Sequence, residues 1–74
     1  TRLITAYLNF GDIKTARLLF DNINNEDKNV VVCNFMIKRY IENKENSEAI
    51  KLFNEIKKHE NIKPNEITYS LILK

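Results

Sequence analysis

Few side chains in this sequence could do chemistry. Cys33 is its one cysteine and His59 its one histidine. Cys33 stands with Met36, Ile37, Tyr40 and Ile41 at i, i+3, i+4, i+7 and i+8, which is the spacing of one apolar helix face. A small buried hydrophobe is therefore expected there rather than a nucleophile. His59 falls near a predicted helix end and reads as a solvated end residue. No second Cys or His stands at ligand spacing, so no zinc site is expected. Glu42, Glu45, Glu48 and Glu55 are scattered among lysines as on a solvated helix face, with Lys38–Glu42 and Lys51–Glu55 as ordinary i, i+4 pairs. Tyr7 and Tyr40 lie on apolar stripes, where core packing outweighs base stacking. The sequence thus contains no catalytic constellation and calls for no cofactor and no small-molecule substrate.

The elements that carry these residues follow from periodicity. Val30 to Asn65 reads as two helices joined by a tight turn and followed by a short linker that Pro64 closes, since proline biases Lys63 away from helical geometry. Ala49, Leu52, Phe53 and Ile56 form the second stripe. Between the stripes, Glu42-Asn43-Lys44-Glu45-Asn46 holds no large apolar residue, and Asn46 or Ser47 is placed to cap the second helix. Upstream, Thr1 to Leu8 is a helix with Leu3, Ile4 and Tyr7 inward. Gly11 stands where a left-handed residue ends a helix, and Asp12 can cap the next one, Ile13 to about Ile23. Val30 and Val31 read as extended residues ahead of a helix starting near Val32 or Cys33. Glu66 to Lys74 starts another helix, with Tyr69, Ile72 and Leu73 inward.

The hairpin repeats. A shift of 33 residues carries Ile4 to Ile37, Tyr7 to Tyr40, Ala16 to Ala49, Leu19 to Leu52, Phe20 to Phe53 and Ile23 to Ile56. A shift of 36 carries Val31 to Ile67, Met36 to Ile72, Ile37 to Leu73 and Lys38 to Lys74. Repetition at this period is the mark of a solenoid. The expected division is 1–29, a unit lacking its start; 30–65, a complete unit; and 66–74, the first helix of a third. The expected fold is all-α, a solenoid of antiparallel helical hairpins, and a chain that opens and closes in mid-pattern reads as a piece of a longer array. Twelve Lys and Arg against ten Asp and Glu give a net charge of +2, which permits nucleic acid without demanding it. No apolar run approaches the roughly 20 residues of a membrane span.

Two kinds of helical repeat fit the spacing. Tyr7-Ala16-Phe20 and Tyr40-Ala49-Phe53 match the tetratricopeptide pattern, but that packing wants small residues where this chain has Ile4, Ile37, Ile23 and Ile56. The segments VVVCNFMIKRYIEN, SEAIKLFNEI, IKPNEITYSLILK and GDIKTARLLFDNI resemble the pentatricopeptide repeat family instead, in the form where repeat variants alternate in plant-type arrays. The likeness covers essentially the whole chain.

That resemblance implies sequence-specific binding of single-stranded RNA, one base per repeat, within a larger array acting in organellar RNA processing or editing. It implies a mitochondrial or plastid location, neighbouring repeats of the same chain as packing partners, and no enzymatic activity in this segment. In the family, a residue early in the first helix and the residue closing the same repeat jointly read the base. Carried over, the base-reading pairs are Thr1 with Asn29 and Asn34 with Asn65, and Ser70 is the first half of a third. Thr, Asn and Ser suit this, being short side chains that donate or accept toward base edges. The resemblance also makes Val31 and Ile67 clamps for successive bases. It implies adenine for Thr with Asn, a pyrimidine with cytosine ahead for Asn with Asn, and a purine for a repeat led by Ser. Repetition alone permits a plainer role, in which Thr1, Asn34 and Ser70 bond their own backbone at helix starts. The rival function is a protein-interaction scaffold, in which the same hairpins form a groove for a peptide.

Overall fold

The computed structural model describes residues 2–24, 28–60 and 62–73. Expectations resting on Thr1 and Lys74, and on part of the connection before Lys28, fall outside them. Among the described residues there are five α-helices and no strand: α1 Arg2–Asn9, α2 Ile13–Asn22, α3 Val30–Glu42, α4 Asn46–Lys58 and α5 Glu66–Ile72. Helices α1, α3 and α5 lie side by side with α3 central, while α2 rests on α1 and α3, and α4 on α3 and α5. The Cα atoms span 28 × 28 × 17 Å, a slab whose short dimension suits two helix layers packed about 8–10 Å apart.

The two helix–helix turns have one geometry, 33 residues apart. Asp12 N–H donates to Tyr7 C=O at 2.9 Å and Gly11 N–H to Leu8 C=O at 3.0 Å; Glu45 N–H donates to Tyr40 C=O at 2.8 Å and Lys44 N–H to Ile41 C=O at 3.0 Å. Each is a Schellman closure needing a left-handed residue, supplied by Gly11 at φ 84° and Lys44 at φ 61°. The closure brings Glu45 to the N-cap of α4, where its side chain makes no capping bond. Asn46 and Ser47, expected to cap this helix, are instead its first two residues. Asp12 caps α2 as expected, accepting from Thr15 N–H at 3.2 Å.

Helix α3 begins earlier than strand propensity suggests. Val30 and Val31 are its first residues, because the Asn29 carboxamide accepts Val32 N–H at 3.0 Å and closes the first turn. Propensity is a weak prior, and a cap together with burial of Val32 overrides it.

The core joins both layers. Ile4, Leu8, Phe20, Ile37, Tyr40 and Leu52 are buried, and Ala16 and Ala49 are fully covered. Tyr7 and Phe53 pack half-buried against this cluster. Three residues expected inside are exposed: Leu3, Tyr69 and Leu73. In α5 the inward residue is Thr68, with Leu71 and Ile72 beside the core, so that face is one residue out of phase with the expectation. Tyr69 offers its ring to Phe53 edge-on, with centroids 5.7 Å apart.

The ion pairs also differ from those expected. Glu42 meets Arg39 at 3.2 Å and Lys51 meets Glu48 at 3.5 Å, whereas Glu55 reaches across to Arg17 of α2. Arg17 also holds Asp21 at 3.3 Å, and so links α2 to α4. His59 closes α4, half-buried, its N–H donating to Ile56 C=O at 3.2 Å.

Candidate nucleic-acid interface

A cleft of about 670 Å³ runs between α3 and α5, lined by Asn34, Phe35 and Lys38 on one side and Glu66, Ile67, Ser70 and Leu71 on the other. The lining residues recur at one helical turn, and the 36-residue shift superposes Asn34 on Ser70 and Phe35 on Leu71. Asn34 and Ser70 therefore face one surface, on the neighbouring helices α3 and α5. Thr1, expected at the same phase on α1, lies outside the described residues.

Asn34 and Asn65 meet although 31 residues separate them: Asn34 Nδ2 donates to Asn65 Oδ1 at 3.0 Å. The chain folds this way because Asn65 is the N-cap of α5, and α5 packs on α3. Asn65 Oδ1 accepts Thr68 N–H at 3.1 Å, while Asn65 N–H donates to Thr68 Oγ1 at 3.2 Å, a reciprocal capping box. The Thr68 hydroxyl also contacts Asn34 Oδ1 closely and lies 3.0 Å from Asn65 Oδ1. Thr68 is wholly buried and Asn34 is 8% exposed, whereas Asn65 faces solvent. Asn34 thus spends its amide on side chains from the far end of the linker.

Sequence reading missed Thr68. The signal was present in Asn65-x-x-Thr68 ahead of an apolar run, a form of capping box. Asn29 supplies the contrast: it caps α3, but Val32 stands where the 36-residue shift would put a threonine, so no hydroxyl returns to it.

Val31 and Ile67 stand at the first turns of α3 and α5 and are 71% and 60% exposed. Ile67 lines the cleft itself. Large branched side chains held in water are available for stacking against a flat partner. Lys38 adds a cation at the cleft and Glu66 an anion.

Beneath this surface the titratable groups are structural. Burial pushes the Cys33 thiol up to about 12, against the opposing pull of Arg17 and Lys28. Burial also raises Tyr40, again against Arg17. Partial burial would lower Arg17, but its hydrogen bond to Glu55 and the charge of Asp21 outweigh that and hold it above its ordinary value. Among the described residues no group of His, Cys, Asp and Glu could hold a metal ion. Nor is any described helix long and apolar enough to cross a membrane.

Residues 28–74 match the PPR repeat family. A putative pentatricopeptide repeat-containing protein of Arabidopsis thaliana is 39% identical over 96% of this chain and 12% of its own length. A mitochondrial one from the same plant is 38% identical over 99% of this chain and 10% of its own, and a chloroplastic one is 40% identical over 99% and 10%. The chain spans about a tenth of the length of these relatives. No solved structure matches it. The chain belongs to the pentatricopeptide repeat family, whose members are generally RNA-binding organellar proteins.

Proposed function

We propose that this chain is a module for sequence-specific recognition of single-stranded RNA, one base per repeat, within a longer array serving organellar RNA processing or editing. Its units are 1–29, 30–65 and 66–74. The observation that carries the reading is the meeting of Asn34 with Asn65 beside a cleft whose rim includes Ile67. In unit 30–65 these two asparagines read one base by its hydrogen-bonding edge, while Val31 and Ile67 clamp it from either side without regard to sequence. Asn29 with Thr1 serves the preceding base, and Ser70 begins the reading of the following one. Exposed aliphatic residues beside recurring short polar ones suit a stacked, single-stranded base better than a peptide.

Donor and acceptor accounting favours cytosine at Asn34 and Asn65. Asn65 Oδ1 is occupied, which leaves the Nδ2 hydrogens to face outward, and cytosine presents an acceptor at N3 where uracil presents the N3–H donor. The experiment is equilibrium binding of the full-length protein to RNAs varied at that one base, at fixed salt. Tighter binding of the cytosine RNA supports the reading. Equal affinity for all four bases would make Asn34 and Asn65 structural residues only.

A further inference from the structure

We propose that Thr68, a residue of the following unit, is a positioning residue: its buried hydroxyl locks the orientation of the Asn34 amide against the Asn65 cap and so sets discrimination between cytosine and uracil. This rests on the base-reading role of that asparagine pair.

The orientation follows from which groups can only donate. The Thr68 backbone N–H is a donor, so the Asn65 atom 3.1 Å from it is the oxygen. That oxygen also meets the Asn34 amide at 3.0 Å, and Asn34 must therefore present its Nδ2. The other Asn34 atom is then Oδ1, which needs a donor in an almost closed environment. Thr68 supplies it. Its Oγ1 already accepts from Asn65 N–H at 3.2 Å, leaving one hydroxyl proton to give. Asn65 Oδ1 has two donors already, so the proton goes to Asn34 Oδ1, the closer of its two contacts.

The closed ring leaves an edge of one character. Asn65 keeps both Nδ2 hydrogens and Asn34 keeps one, which together offer donors toward the cleft. Without the hydroxyl, Asn34 Oδ1 loses its buried partner, and that oxygen is satisfied only when the Asn34 side chain swings toward the cleft. Asn65 stays as it is, held by the backbone N–H of residue 68, but Asn34 then presents an acceptor outward. Acceptors suit uracil N3–H as well as donors suit cytosine N3, so discrimination collapses while stacking persists.

The test compares Thr68→Val and Thr68→Ser in the full-length protein by the ratio of Kd values for uracil and cytosine RNAs, measured on one preparation. The ratio is independent of the fraction of active protein. Thr68→Val should lower the wild-type ratio by about tenfold, leaving discrimination at bases read by other units unchanged, and Thr68→Ser should restore it. A wild-type ratio of one would sink the base-reading role itself. A wild-type preference retained in full by Thr68→Val would overturn the role of Thr68 alone. Loss of all binding in Thr68→Val with full binding in Thr68→Ser would assign the hydroxyl to folding, and also overturns the proposal.

Discussion

Replacing Asn65 with aspartate changes the chemistry of the proposed reading edge while leaving the fold its cap. Aspartate caps helices as well as asparagine does, and one carboxylate oxygen can still accept from Thr68 N–H and Asn34 Nδ2. Its added charge at the start of α5 is favourable there by about 0.3–1 kcal/mol. What is lost is the Nδ2 donor pair facing the cleft. A hydrogen bond to cytosine N3 is worth about 0.5–1.5 kcal/mol net, and opposing an acceptor to an acceptor costs about 1–3 kcal/mol. Because Asn65 is exposed, the low ends apply, and the swing from cytosine toward uracil is about 1.5 kcal/mol, or roughly 10-fold in the Kd ratio. General repulsion of phosphates by the new carboxylate weakens both RNAs alike and cancels in that ratio. Competition binding with two RNAs differing at one base, at one ionic strength, measures it. A ratio unchanged within threefold, with the protein folded, would refute the assignment of Asn65 to the base edge.

Other expectations concern stability and reactivity. Lys44→Gly relieves a left-handed residue at φ 61° and should stabilise the protein by about 0.5–1 kcal/mol in chemical unfolding, whereas Gly11→Ala should destabilise it by about 1–2 kcal/mol. Phe20→Ala removes a buried ring and should cost about 3–5 kcal/mol; the half-buried Phe53 should cost less, and equal losses would contradict the difference in cover. Cys33 should resist alkylation in the native protein and react on unfolding. Its folded pKa of about 12 lies above the ordinary 9.0, so its contribution is complete below about pH 9 and declines as pH rises from there toward 12. The Arg17–Glu55 pair is exposed on the Glu55 side, and a double-mutant cycle should find a coupling under about 1 kcal/mol.

The sequence made the hairpins legible because burial repeats with the helical period: Ile4 and Ile37, Ala16 and Ala49, Phe20 and Phe53 mark equivalent places whatever the loops do. Gly11 and Asp12 were legible as a stop and a start, since their chemistry is local. Lys44 was not, because no lysine announces a left-handed backbone; only the matching closure 33 residues earlier does. The start of α3 at Val30 was hidden by valine's preference for strands, which a cap from Asn29 outweighs. Leu3 and Tyr69 share helical spacing with Tyr7 and Ile72, and which side of a short helix meets a neighbour is decided by the neighbour. At the site, the resemblance brought Asn34 and Asn65 to notice, but their mutual bond depends on how α5 docks on α3, which no spacing states. Thr68 lay hidden for the same reason.

The Asn65–Thr68 cap has a bearing on how such arrays could be recombined. A segment exchanged at the boundary after residue 65 would carry Asn34 and Asn65 into a new setting but take its third partner from whatever chain follows. Placed before a unit with valine at that position, as Val32 stands after Asn29, the transplanted pair would meet no hydroxyl. A crossover placed beyond Thr68 would move all three together. Exchange points that preserve the proposed specificity therefore lie inside the first turn of the succeeding helix, out of register with the visible repeat.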